Sequence, residues 1–392
     1  MPSENRTHLD AALAFELAAL RANDQFRTLT ELQGVNLCSN DYLGLADDPR
    51  LKDAVLQAVA DSTRVGATGS RLLSGHTSLW NELEDEFASF AGCEAALYFS
   101  SGYAANVGLL SSVVGKDDIV FSDALNHASL IDGIRLSAAR RVIYPHLDLS
   151  ALESALRAHS GNSCRKLIVT ESIFSMDGDA ADVRALQNLA AQYGAALVVD
   201  EAHATAVHGP DGRGLVAAAN LTREVFAIIH TCGKALASAG AFVCGSGILR
   251  EFLINRARTF IFSTAMPSYF ATQIRVALGL AQSMHAERAA LLQNAGDLAT
   301  GLRSDGRVVP DTASQIVPVV IGPNAETLAA AQYLQGEGFA IRAIRPPTVP
   351  AGKARLRLSL TARISASQLA RLRTALAHWQ TTQLVSSSAG GA

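Results

Sequence analysis

Cysteine is scarce in this chain. Its 392 residues hold five, Cys38, Cys93, Cys164, Cys232 and Cys244, odd in number, widely scattered and without a C-x-x-C pair. That usage argues against a disulfide-stapled scaffold and suits a reducing compartment, so the expected location is the cytoplasm. Charge is also sparse: 18% of residues are charged and the formal net charge is -3. Nothing general in that balance calls for nucleic acid or an anionic membrane as a partner. No uninterrupted apolar stretch approaches the roughly 20 residues that span a bilayer. The opening "MPSENRTHLDAALAFELAALRAND" is polar and amphipathic, unlike a basic start followed by an apolar core, so neither export nor membrane insertion is expected. Internal repeats and low-complexity segments are missing from the body as well.

What is present is enough apolar material, 49% of residues, to bury a sizeable core. After the helical pattern "NELEDEFASF", short apolar runs alternate with helical segments: "EAALYFS", "DIVFSD", "RRVIYP", "KLIVTES", "ALVVDEA", "VFAIIHT" and "AFVCGSG". Such alternation predicts an α/β fold with a mainly parallel sheet buried on both faces. Ligands bind at the carboxyl ends of such strands. After the long helical stretch that follows "FSTAMP", the strands "IVPVVIG", "FAIRAIRPP" and "ARLRLSLTA" predict a smaller α+β unit. The expected divisions are an N-terminal arm over 1–46, a large domain over 47–282, a small domain over 283–385 and a disordered tail over 386–392.

The stretch "ALVVDEAHATAVHGPDGRG" ends a buried strand in two carboxylates and two histidines, and three chemistries could use them. An ATPase magnesium site needs an upstream G-x-x-x-x-G-K-S/T loop. "GATGSRLLSG" lacks the lysine, and "TCGKAL" lies downstream without the first glycine or the final hydroxyl residue. A metal site could draw on Asp200, Glu201, His203 and His208, but no other His/Cys cluster joins them at ligand spacing, so no metal is expected. The third chemistry is an organic cofactor. A buried aspartate, Asp200, can keep a pyridine nitrogen protonated and make the ring an electron sink, as in pyridoxal phosphate. Lys234 in "HTCGKALASAGAFVCGS" offers the amine for its aldehyde, and the turn in "LYFSSGYAANVGLLSSV" offers helix-start amides for its phosphate. Each fragment alone has an ordinary explanation: a surface lysine, a capping serine or threonine, a core histidine. Their joint order along one parallel sheet is what favours the cofactor.

The stretches "NDYLGL", "GSRLLSG", "SSGYAAN", "NHASLIDG", "ESIFSMDGD", "DEAHATAVHGPDGRG", "TCGKA" and "FIFSTAMP" together resemble the α-oxoamine synthases, and the likeness runs from about residue 36 to residue 364. These are pyridoxal-phosphate enzymes of the aspartate-aminotransferase fold (fold type I) that condense an amino acid with an acyl thioester and lose carbon dioxide. The segment "AIRPPTVPAGKARLRLSLTA" most resembles the biotin-pathway member, which joins L-alanine to a pimeloyl thioester carried by coenzyme A or an acyl carrier protein.

The resemblance implies roles at matching positions. Lys234 bonds the cofactor and takes the α-proton, Asp200 partners the ring nitrogen, and His203 stands near the ring oxygen. Ala202 packs on one ring face, while His127 stacks on the other and acts as an acid or hydrogen-bond donor. Gly102, Tyr103 and Thr231 surround the cofactor and its phosphate, with Ser175 and Glu171 near the ring oxygen and the site floor. Thr264 reaches the phosphate of a neighbouring subunit, which implies a homodimer with shared sites. Arg357 holds the amino acid's carboxylate, Asn40 links the arm to the site, and Arg27 and Arg345 are candidates for the acyl chain's far carboxylate and the thioester end. Without the resemblance, the arginines alternating along "ARLRL" would be read as solvated strand-edge residues. Three positions depart from the pattern: Trp80 where histidine is common, and Ala206 and Ala237 where glycine is frequent. Other possible readings are a synthase for glycine or serine, a non-catalytic subunit of the same fold, and a metal-dependent hydrolase.

Overall fold

The computed structural model describes residues 4–161, 163–312 and 314–389. A short strand, β1 (Val35–Asn36), precedes the seven strands of the main sheet: β2 (Ala95–Phe99), β3 (Ile119–Asp123), β4 (Arg140–Tyr144), β5 (Lys166–Glu171), β6 (Ala196–Asp200), β7 (Ala227–Thr231) and β8 (Ala241–Gly245). Each of the seven coincides with one predicted apolar run. They lie in the order β2-β8-β7-β6-β5-β3-β4, with β8 antiparallel to both neighbours and every other pair parallel. Every residue of β3, β5 and β7 is buried. Alternate side chains feed two cores: Phe121, Ile168, Val199 and Ile228 pack on one face, and Val120, Val169, Val198 and Ile229 on the other. Coverage on both sides is why these strands read as continuous apolar runs.

Beyond the helices Tyr269–Ser283 and His285–Ser304 come β9 (Ile316–Gly322), β10 (Phe339–Ala340), β11 (Ala343–Ile344) and β12 (Ala354–Ser359). β12 is the middle strand of an antiparallel sheet between β11 and β9, whereas β10 pairs in parallel with β1. The single strand expected in "FAIRAIRPP" is thus two, because its halves bond to different partners. The reading of the "ARLRL" arginines as solvated is also corrected. Arg355 and Arg357 are only 4% and 8% exposed on that middle strand, where Arg355 pairs with Asp177 and Arg357 bonds Asn40 and Ser359. The last helix runs Ala366–Ala389, so helix replaces the expected disorder over 386–389, and residues 390–392 lie outside the described residues. Among the described residues no helix is long and apolar enough to cross a membrane.

His146 ties the strand-end loops together. Its Nδ1 lies 2.8 Å from Asp123 and its Nε2 2.8 Å from Asp179. Burial works against the charged ring, but the hydrogen bonds to two carboxylates outweigh it and push the imidazole up to about 10. A folded-state value raised above the ordinary 6.5 contributes stability that is complete below that pH and fades as pH climbs through about 10. Urea titrations of the native protein and His146→Gln should therefore differ most at pH 6 and converge toward pH 10. A gap that does not narrow with rising pH would refute the charged bridge.

Candidate active site

The carboxyl ends of β5, β6 and β7 open into a cavity of ≈ 390 Å³. Glu171, Asp200 and Thr231 are the last residues of those three strands, and Glu171 and Asp200 face each other in register. The chain leaves β7 in a tight turn, with the Ser238 N–H donating to the Cys232 carbonyl, and the turn delivers Lys234 to the cavity. Opposite, Ser101 caps the helix Gly102–Val113 by accepting from the Ala104 N–H at 3.0 Å. A Cβ at Gly102 would stand 2.8 Å from Thr231 Cγ2, so glycine lets the helix start close against the strand end.

Electrostatics follow from burial. Asp200 accepts from Asn106 Nδ2 at 2.7 Å on one oxygen and from the Ala202 N–H at 2.9 Å on the other. Burial lowers the Lys234 amine from its usual range; Asp200 and Glu171 resist the fall and Arg357 adds to it. Burial, reinforced by Asp200, pushes Glu171 well up, and its carboxyl accepts the His127 N–H at 2.7 Å. His127 and His203 are both lowered, chiefly by burial, and are neutral near pH 7.

A relay of polar side chains joins Asp200 to His127. Asn106 spends one amide hydrogen on Asp200 and the other on Ser129 Oγ at 2.9 Å. Ser129 Oγ therefore accepts from Asn106 and donates to His127 Nδ1 at 2.7 Å, where the Ser129 N–H also donates at 3.2 Å. With two donors aimed at Nδ1, the neutral ring carries its proton on Nε2. Sequence reasoning missed Asn106 and Ser129. The only signal was one amide inside the otherwise apolar "GYAANVGLL".

Of the predicted residues, Lys234, Asp200, His127, His203 and Ala202 all line the cavity, as do Asn40, Gly102, Tyr103 and Thr231. Tyr103 is half exposed and donates to Asp132 at 2.6 Å. Arg357 sits behind Asn40, donating to its Oδ1 from both terminal nitrogens at 3.1 Å. Ser175 is not part of the lining; its carbonyl accepts from Arg357 Nε. Thr264 is exposed and borders a separate small cavity with Arg71 and Phe260. Arg27 and Arg345 are not part of the lining; Arg27 donates to Thr348 Oγ1 at 3.4 Å and Arg345 to the Asp24 and Phe26 carbonyls, close enough for the two charges to act on each other. As for the departures, Trp80 is buried and stacks on Tyr98 at 4.3 Å. Ala206 and Ala237 adopt φ of 65° and 43°, the left-handed region that glycine enters freely.

The candidate metal ligands do not converge. Glu201 turns to the Ser172 hydroxyl at 2.8 Å and the Val216 N–H at 2.7 Å, while His208 bonds Gln315 at 2.9 Å. Among the described residues no group of three or more His, Cys, Asp or Glu side chains is placed to hold a metal ion. The cavity fits pyridoxal phosphate instead, with a buried carboxylate for the ring nitrogen, an amine of lowered basicity for the aldehyde and a helix start for the phosphate.

Residues 33–376 match the aminotransferase class I and II family. The chain is 44% identical over 381 residues to an 8-amino-7-oxononanoate synthase of Geobacter sulfurreducens, covering 93% of this chain and 97% of the relative. It is also 44% identical over 387 residues to one of Paracidovorax citrulli, covering 94% and 93%. Among solved structures it resembles a lysine-to-alanine variant of a serine palmitoyltransferase from S. paucimobilis with a bound pyridoxal phosphate–myriocin aldimine. That match has a TM-score of 0.88 at 27% identity and covers 95% of this chain and 98% of the other. An 8-amino-7-oxononanoate synthase from Francisella tularensis aligns with a TM-score of 0.77 at 27% identity, over 90% and 99%. Site geometry and kinship agree: the chain belongs to the aminotransferase class I and II family and, within it, to the pyridoxal-phosphate-dependent α-oxoamine synthases.

Proposed function

We propose that the chain condenses L-alanine with a pimeloyl thioester to give 8-amino-7-oxononanoate, carbon dioxide and free thiol, a step of biotin biosynthesis in the cytoplasm. The observation that carries this reading is the meeting of Lys234, Asp200 and Asn40 at one cavity, with Arg357 bonded to Asn40 behind the lining. Kinship at 44% with relatives named for that product supports these substrates.

Pyridoxal phosphate, when bound, supplies the electron sink for negative charge at alanine's α-carbon. Asp200 would hold the ring nitrogen protonated. Ala202 and His127 would flank the ring, and His203 would donate toward its oxygen. Gly102, Tyr103 and Thr231 would receive the phosphate side, and Ser175 supports Arg357 through its carbonyl. Lys234 would be the resting covalent partner of the aldehyde, and its lowered basicity suits the freed amine to take alanine's α-proton on Nζ. Arg357 holds the amino acid's carboxylate. A bond then forms between alanine's α-carbon and the acyl carbon as the C–S bond breaks, with His127 donating from Nε2 to the acyl oxygen. Loss of the carboxylate as carbon dioxide and return of a proton to the α-carbon complete the product.

Arg27 and Arg345 serve the acyl substrate's far carboxylate or its thioester end. Arg345 is lowered by burial and then by the Arg27 charge, and two neighbouring cations favour an anion between them. The protein acts as a homodimer in which Thr264 completes the neighbour's phosphate site. Exposed Phe15, Leu73 and Phe262 supply apolar surface for such an assembly. The acyl carrier is coenzyme A or an acyl carrier protein.

The test is a panel of L-alanine, glycine and L-serine against several acyl thioesters on both carriers, with carbon dioxide release measured. Release is expected with alanine and the pimeloyl thioester and should survive chelation. Turnover only with glycine or serine and another acyl group would assign a different α-oxoamine synthase. Loss on chelation would favour a metal-dependent hydrolase.

A further inference from the structure

Tyr42 lies on the loop between β1 and the helix Pro49–Asp61, and its side chain is wholly buried. Its hydroxyl stands 2.6 Å from His203 Nδ1, 3.0 Å from Asn40 Oδ1 and 3.4 Å from Arg357 Nη2. Arg357 has hydrogens to give and no lone pair to offer, so the phenol oxygen accepts there. Asn40 Oδ1 already accepts from both Arg357 terminal nitrogens at 3.1 Å and faces the Ser359 hydroxyl at 3.4 Å. The Tyr42 hydroxyl is also placed to donate there at 3.0 Å, so four donors compete for that one oxygen and its two lone pairs, whereas the 2.6 Å contact to His203 has no rival. The single phenolic proton therefore goes to the shortest contact, His203 Nδ1, which must present a lone pair. Burial pushes the Tyr42 phenol up, so it keeps that proton. Burial, followed by the charges of Lys234, Arg357 and His127, holds His203 neutral. The one ring proton left to His203 is on Nε2.

We propose that Tyr42 is a positioning residue that fixes His203 as its Nε2–H tautomer and, through the same hydroxyl, couples that donor to Arg357. The catalytic meaning rests on the roles proposed above for His203 and Arg357; the tautomer rests on the 2.6 Å contact and the neutrality of the buried ring. The opposite tautomer would turn a lone pair toward the cavity, where an anionic ring oxygen needs a donor. Gln315 secures the backbone of the same residue, donating to the His203 carbonyl at 2.9 Å, so ring and main chain are both held. One phenol thus links the group that grips the amino acid to the group beside the cofactor, across the seam between β12 and the main sheet.

The test is nitrogen NMR of the holoenzyme with labelled histidine, the His203 signals being identified by their loss in His203→Asn. A pyridine-type Nδ1 with the proton on Nε2 is expected; a pyrrole-type Nδ1 overturns the proposal. Tyr42→Phe keeps the ring in the core and removes only the hydroxyl. In that variant the His203 nitrogens should shift toward a mixture of tautomers, the visible absorption of the bound cofactor should move, and KM for alanine should rise roughly three- to tenfold. A folded Tyr42→Phe protein with unchanged His203 nitrogens also overturns it, and if that variant does not fold, the native spectrum decides. Absence of turnover with alanine, with the nitrogens as expected, would count against the substrate reading and leave the role of Tyr42 standing.

Discussion

Replacing Lys234 by alanine is expected to lower turnover by roughly 10³-fold or more, because the proposed mechanism gives one amine both covalent attachment of the cofactor and the base for the α-proton. The variant should still fold. Burial already lowers the Lys234 amine and raises the neighbouring Glu171 carboxyl, so the exchange removes a group that is costly to charge there. Little uncompensated charge is then left behind. Borohydride reduction followed by mass spectrometry should attach the cofactor to the native chain at residue 234 and leave the variant unlabelled. A variant that kept native turnover would remove Lys234 from the chemistry altogether.

Much of the main sheet was legible because its strands are covered on both faces. "KLIVTES", "ALVVDEA" and "VFAIIHT" could only be buried strands, and the polar residues that follow them had to sit at carboxyl ends. Asp200 and Lys234 were singled out that way. The support around them was not, because it is built from contacts between distant parts of the chain. Asn106 meets Asp200 across 94 residues and Tyr42 meets His203 across 161, and neither position carries a local pattern that predicts its partner. Arg357 misled a strand-edge reading because β12 is central in its sheet, a fact of register that periodicity does not encode. Ser175 acts through its carbonyl, so its side-chain type said little about its contact with Arg357.

Asp200→Asn should cost about 10³-fold in turnover, near the upper end of what removing one preorganised electrostatic partner costs, for two physical reasons that act together. The first is charge: a neutral amide no longer favours protonation of the ring nitrogen, and the electron sink weakens. The second is the relay. Asn106 donates to Asp200 at 2.7 Å, so an amide placed there sets two NH2 groups face to face unless one of them turns over. If Asn106 turns, it presents its own Oδ1, an atom with no hydrogen-bond partner among the described residues, and withdraws its hydrogen from Ser129. Ser129 is then free to rotate, and the pair of donors that keeps the proton off His127 Nδ1 is broken. Thermal unfolding should change little, since the exchange also removes a buried charge and its desolvation cost. Absorption spectra of the holoenzyme would register the ring nitrogen, and nitrogen NMR would register His127. A variant with altered absorption and native His127 nitrogens would confine the loss to charge; both signals moving together would show that Asp200 also sets the proton on His127 from across the cavity.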